Sequence, residues 1–149
     1  MIKLERTDAQ NPEFRSLVEQ LDQELAVTDG EDHAFYDQFN KVDEIKEVVV
    51  AYEEEIPQGC GAIKPFDAKT MEVKRMYVPQ DLRGKGIAIK ILNELEDWAR
   101  ELGYERCVLE TGTRQKSAIA LYQKSGYQRI PNYGQYEEME NSLCFEKML

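Results

Sequence analysis

The chain has 149 residues, 42% hydrophobic and 32% charged, with a formal net charge of −10 at pH 7. That length supports one domain, 1–149, burying roughly two-thirds of the unfolded chain's surface. Such acidity argues against nucleic acid as a partner, which wants a basic face, and no apolar run approaches the ~20 residues that a membrane helix needs.

Ile2 to Arg6 alternates apolar and polar residues, which predicts a first strand. This N-terminus has no signal-like apolar core, so cytoplasm is the expected compartment. Asn11-Pro12-Glu13 offers a helix cap followed by proline at the first helical position. Phe14, Leu17, Val18, Leu21 and Leu25 then recur at helical spacing until Asp29-Gly30. A second short helix is expected from Ala34 to Asn40. Lys46 to Tyr52 is a strand around the β-prone run Val48 to Ala51. Gln58 to Lys64 returns as the next strand, a turn is expected over 65–69, and Met71 to Val78 follows as another strand. Ile87, Ile91, Leu95, Trp98 and Leu102 form one helical stripe that Gly103 stops. Arg106 to Thr111 is a strand, Lys116 to Ser125 a helix closed by Gly126, and Tyr127 to Ile130 and Ser142 to Met148 the last strands. This order predicts a single α/β domain with a mixed central sheet flanked by helices.

Three cysteines, Cys60, Cys107 and Cys144, are too few, too spread and odd in number for a disulfide framework. Cys107 and Cys144 sit in apolar runs and are expected as small buried hydrophobes. His33, the only histidine, has no second ligand nearby, so no metal site is expected.

The strongest chemical signal is Met71 to Ala88, which reads as strand, glycine turn and helix start. Gly84 and Gly86 let the backbone turn tightly and approach a ligand. The helix N-terminus aims free N–H groups at that turn, and Arg83 and Lys85 add cationic donors. Together they make a pyrophosphate cradle. A Rossmann fingerprint lacks its third glycine here, and a P-loop lacks Ser or Thr after Gly84-Lys85.

Arg83-x-x-Gly86-x-Ala88 resembles the R/Q-x-x-G-x-G/A pyrophosphate loop of the GNAT superfamily of acyl-CoA N-acyltransferases. Downstream, Ala118-Ile-Ala-Leu-Tyr-Gln-Lys-Ser-Gly-Tyr127 resembles that family's A-x-x-L-Y-x-K-x-G-F/Y helix. The resemblance implies the GNAT fold, with strands that splay apart to hold acyl-CoA. It implies acetyl transfer from acetyl-CoA to an amine, with no metal. Glu72 matches a strand position where several GNAT enzymes place a glutamate base, with Glu110 as rival, and Tyr122 matches the tyrosine that serves as general acid. The backbone of Met76 and Val78 matches the positions that hold the thioester carbonyl and pantetheine arm. Arg83, Gly84, Lys85, Gly86, Ile87 and Ala88 would hold the pyrophosphate, and Gln115 stands where the family often carries Asn facing the cofactor.

The expected acceptor is a small-molecule amine, with a protein lysine or N-terminus as the alternative. A non-catalytic CoA-binding module is the rival from another class. The acceptor site would be built from Asp29 to Phe39 and Pro131 to Asn141, the latter rich in aromatic and acidic residues: Tyr133, Tyr136, Glu137, Glu138 and Glu140. Many GNAT proteins dimerise, so a homodimer is compatible with the sequence.

Overall fold

A computed structural model describes residues 1–30 and 45–149. The helix expected from Ala34 to Asn40, and His33, lie outside the described residues. In chain order the elements are β1 (Ile2–Thr7), α1 (Pro12–Asp29), β2 (Glu47–Glu53), β3 (Ile56–Asp67), β4 (Thr70–Tyr77), α2 (Ile87–Glu101), β5 (Arg106–Gly112), α3 (Lys116–Lys124), β6 (Gln128–Ile130) and β7 (Ser142–Met148). Single turns of 3-10 helix occupy Gln80–Leu82 and Gly134–Tyr136.

The strands form one seven-stranded sheet in the order β1-β2-β3-β4-β5-β7-β6. All neighbours are antiparallel except β4 and β5, which run parallel. Helices cover both faces. Val48, Val50, Cys60 and Ala62 pack under Phe14, Leu17 and Val18 of α1. Val49, Ala51, Ile63, Met71 and Val73 pack under Ile91, Leu92 and Leu95 of α2. Burial on both faces explains why Val48 to Ala51 is uninterrupted hydrophobe rather than an alternating run.

Local chemistry sets the element ends. Asn11 caps α1 by accepting the Phe14 N–H at 3.0 Å, with Pro12 at the first helical position. β3 runs on to Asp67 instead of turning at Pro65 as the sequence predicts. Pro65 is tolerated because β2 has already ended its pairing at Glu47↔Ile63, so the missing N–H costs no ladder bond on that side.

Two departures from regular pairing shape the centre of the sheet. Between Cys60↔Tyr77 and Ala62↔Lys74 the register slips, so Arg75 and Met76 together oppose Gly61. This is a β-bulge, and Arg75 adopts φ +58° there. Gly61 belongs to it: a Cβ would run into Met76 and lie 2.9 Å from Leu95. Secondly, β4 and β5 pair only at Thr70↔Arg106, Met71↔Cys107 and Glu72↔Val108. Past Glu72 the two strands separate, and the V between them is the feature that positions the site.

Candidate active site

Two adjoining cavities open along the V. The outer one, about 420 Å³, is lined by the Arg83–Ile89 turn, Met76 to Val78, and the α3 residues Ala118, Leu121 and Tyr122. The inner one, about 120 Å³, is lined by Glu72, Lys74, Arg75, Glu110, Thr111 and Tyr136. Leu21, Met76, Gln115, Ala118 and Tyr122 border both.

The outer cavity has the features of an anion cradle. Gly84 and Gly86 both sit at φ +81°, a region that L side chains rarely adopt, and a Cβ on either would meet no protein atom within 4 Å. The space over the loop is open to a ligand. Gly86 is the N-cap of α2 and offers no side-chain cap, so the first N–H groups of the helix, at Ile87 to Ile89, are left for an outside acceptor. Lys85 is exposed on the same turn.

Arg83 departs from the sequence expectation of a cation simply directed at phosphate. Its Nε donates to the Val78 carbonyl at 2.8 Å, and one terminal nitrogen donates to both carboxylate oxygens of Glu24 at 2.9 and 2.8 Å. The loop is thereby tied to Val78, just past the end of β4, and to α1, and a phosphate would share or displace Glu24.

At the junction of the cavities Gln115 buries its side-chain Nε2 with no hydrogen-bond partner. An orphan amide donor bordering both cavities is what a carbonyl-rich arm threaded between the strands would satisfy. Met76, on the bulge, and Val78 border the same passage. The bulge leaves one residue there outside the β3 ladder.

Tyr122 is 6% exposed, with its ring edge-on to Tyr127 at 5.8 Å between centroids. Burial, and secondarily Glu110, raise the phenol far above its ordinary value, so the proton stays on the oxygen.

Glu72 is buried, at 7% exposure. One of its carboxylate oxygens accepts the Tyr133 hydroxyl at 2.7 Å, and the other lies 4.0 Å from Lys74 Nζ. Burial, then Glu72, keep the Tyr133 phenol protonated, so it remains a donor. Burial pushes the Lys74 ammonium below the ordinary lysine value, against the opposing pull of Glu72 and Glu110. Glu110 stands across the V on β5 and accepts the Ser142 hydroxyl at 2.8 Å. The structure therefore brings Glu72, Glu110, Tyr122 and Gln115 together.

Lys74, Arg75 and Ser142 escaped the sequence reading as members of this site. Of the 131–141 segment, Tyr133 and Tyr136 reach the site, whereas Glu137, Glu138 and Glu140 face solvent. Among the described residues there is no cluster of metal-ligating side chains, and no helix is long and apolar enough to cross a membrane.

Known proteins share this chain's sequence pattern and fold. The profile of the Acetyltransferase (GNAT) family matches residues 8–127. The uncharacterized N-acetyltransferase YjgM of Escherichia coli is 33% identical over 132 residues, covering 80% of this chain and 77% of that protein. The IAA acetyltransferase of Azospirillum brasilense is 41% identical over 92 residues, and the match spans 61% of this chain and 60% of that protein. Among solved structures, the PaiA N-acetyltransferase of Thermoplasma acidophilum in complex with coenzyme A shares the fold at a TM-score of 0.74, with 16% identity over 100% of this chain and 99% of that one. The chain belongs to the GNAT family of acetyltransferases, whose members use acyl-CoA.

Proposed function

We propose that this protein moves an acetyl group from acetyl-CoA to a primary amine of a small molecule. The observation that carries this reading is the pair of adjoining cavities in the V, which share five lining residues and reach from the uncapped α2 N-terminus to the carboxylates of Glu72 and Glu110. The cofactor half fits its group: an open glycine turn for phosphates and an orphan amide donor for a pantetheine carbonyl. Acetyl-CoA, as cosubstrate, supplies an activated thioester carbonyl to this junction.

The chain's own residues then divide the work. Gly86 and the first turn of α2 would hold the pyrophosphate, with Lys85 beside them, and Gln115 would orient the arm. Backbone N–H groups at the Met76 bulge would face the carbonyl oxygen, where one preorganised donor is typically worth ~3–4 kcal/mol. Glu72, oriented by Tyr133, would take the proton from the amine. An amine near pKa ~10 facing a carboxylate near ~4 makes direct transfer uphill by several units. A bridging water, or capture of the neutral amine fraction, meets that cost. Tyr122 keeps its proton and would donate a hydrogen bond to the departing sulfur.

Binding and turnover test this separately. Coenzyme A should raise the melting temperature by selective binding to the folded state, whereas NAD should not. Gly86→Val should remove that effect, because a β-branched residue resists φ +81° and its side chain fills the open space over the loop. A screen of amines with acetyl-CoA, following free thiol, should then find an acceptor. Stabilisation by NAD and not by coenzyme A would overturn the reading.

A further inference from the structure

The cationic half of the inner cavity has no task in the acyl transfer derived above. Lys74 and Arg75 are neighbours on β4, yet both line this cavity. The bulge at Arg75 breaks the alternation that would send adjacent side chains to opposite faces. The Lys74 side chain is 9% exposed and the Arg75 side chain 2%. Two buried cations side by side demand oxygen acceptors. The chain supplies some of them: a terminal nitrogen of Arg75 donates to Asp22 of α1, and Lys74 has Glu72 at 4.0 Å. The Nε–H of Arg75 is left buried without an acceptor. Native proteins rarely leave such a donor orphaned, and an acceptor from outside the chain would complete it.

The anionic half of the wall offers a second constraint. Glu72 and Glu110 line the same cavity as the two cations. The four side chains carry a formal charge of zero, but with both signs present. A simple amine would satisfy the carboxylates and leave the Arg75 donor unmet. A simple acid would do the reverse. Resting on the acyltransferase reading, we propose that the acceptor is an amino acid or similar zwitterion. Its carboxylate is received by Arg75 Nε and Lys74, while its amine is directed to Glu72 and Glu110. A carboxylate suits this corner because a guanidinium edge binds it in plane.

The test offers acetyl-CoA and the common amino acids, each paired with its α-carboxamide, which keeps the amine and deletes the anion. The best amino acid should exceed its own carboxamide by at least about tenfold in kcat/KM, expressed mainly in KM. In protein saturated with coenzyme A, that amino acid should raise the melting temperature and its carboxamide should not. Lys74→Met should bring acid and carboxamide close to parity, and Lys74→Arg should keep the preference. Should Lys74→Met fail to fold, Arg75→Lys retains the charge, deletes the Nε donor and carries the same expectation. Carboxamides used as well as acids, or transfer only to amines without a carboxylate, would overturn the proposal. A full preference surviving in folded Lys74→Met would also overturn it. Coenzyme A failing to stabilise the protein would instead overturn the acyltransferase reading beneath it.

Discussion

Tyr122 shows how one residue's surroundings decide which job its atoms can do. Its phenol is raised by burial, so complete proton transfer to a departing thiolate, whose thiol pKa is near ~8.5, is uphill. The hydroxyl acts best as a hydrogen-bond donor that lowers the cost of charge on sulfur. Tyr122→Phe keeps the ring edge-on to Tyr127 and deletes only that donor. Turnover should fall at least about tenfold, equivalent to ~1.4 kcal/mol, while melting and coenzyme A affinity stay near wild type. Full activity with lost stability would assign the hydroxyl a structural role instead. Glu72 is tested through its pH dependence. Glu72→Gln should keep coenzyme A binding, lower turnover and alter the acid limb of the pH–rate profile. An unchanged profile would move the role to Glu110, which faces the same cavity with Ser142 as its partner.

At the scale of elements, α1 acts as a brace across the site. Two of its carboxylates, Asp22 and Glu24, hold Arg75 on the bulge and Arg83 on the glycine turn. Glu24 also lines the outer cavity, where it would repel a pyrophosphate. The Arg83–Glu24 pair is about one-third exposed on each side, and such pairs contribute ~0–1 kcal/mol, so breaking it costs little. Glu24→Gln should therefore tighten coenzyme A by roughly threefold to tenfold, since removed repulsion outweighs the lost brace. Weaker binding measured by calorimetry would mean that the brace, which fixes the loop for its ligand, is the larger effect. Much of the frame around this site was legible in the sequence. Periodicity marked α2 through Ile87, Ile91 and Leu95, and Asn11-Pro12 marked the start of α1. The glycine turn and the α3 motif pointed to Arg83, Gly84, Gly86, Ile87, Ala88 and Tyr122, which all line the outer cavity. The bulge was not legible, because Arg75 carries φ +58° without glycine's signature. Its trace lies across the ladder, in Gly61, where the absent Cβ leaves room for Met76. The pairing of Tyr133 with Glu72, 61 positions apart, depends on how a loop folds back, and no local pattern encodes it.

Across the whole molecule, several thiols and phenols are neutral acids held away from water. Cys60 and Cys107 are pushed up to about 12 and Cys144 to about 11, each chiefly by burial. The phenols of Tyr122, Tyr127, Tyr133 and Tyr136 are raised as well, again chiefly by burial. In the unfolded chain the thiols would ionise near ~8.5 and the phenols near ~10. For an acid whose folded pKa is raised, the native state holds the proton after the unfolded state has released it. Stability is then complete below the unfolded pKa and is lost as pH rises above it. Each such group contributes a slope of up to about 1.4 kcal/mol per pH unit. The three thiols together therefore remove up to about 4 kcal/mol per unit above pH ~9, and the phenols add to this above ~10. Lys74 works in the opposite direction: its lowered value means that stability rises with pH as the folded ammonium deprotonates first. One lysine does not offset seven acids. Against a typical total stability of about 5–15 kcal/mol, the fold should weaken steeply above pH ~9. Melting temperature measured from pH 7 to 11 should be flat to ~8.5 and then fall with increasing steepness. Cys107→Ala, which removes one buried thiol next to the Tyr127 ring, should lower that slope by about 1.4 kcal/mol per unit between pH ~9 and ~11, whatever cavity cost it adds at neutral pH. A melting temperature that stays level through pH 10.5 in wild type would show that the thiols ionise in the native state. The core would then be open to water at the cysteines.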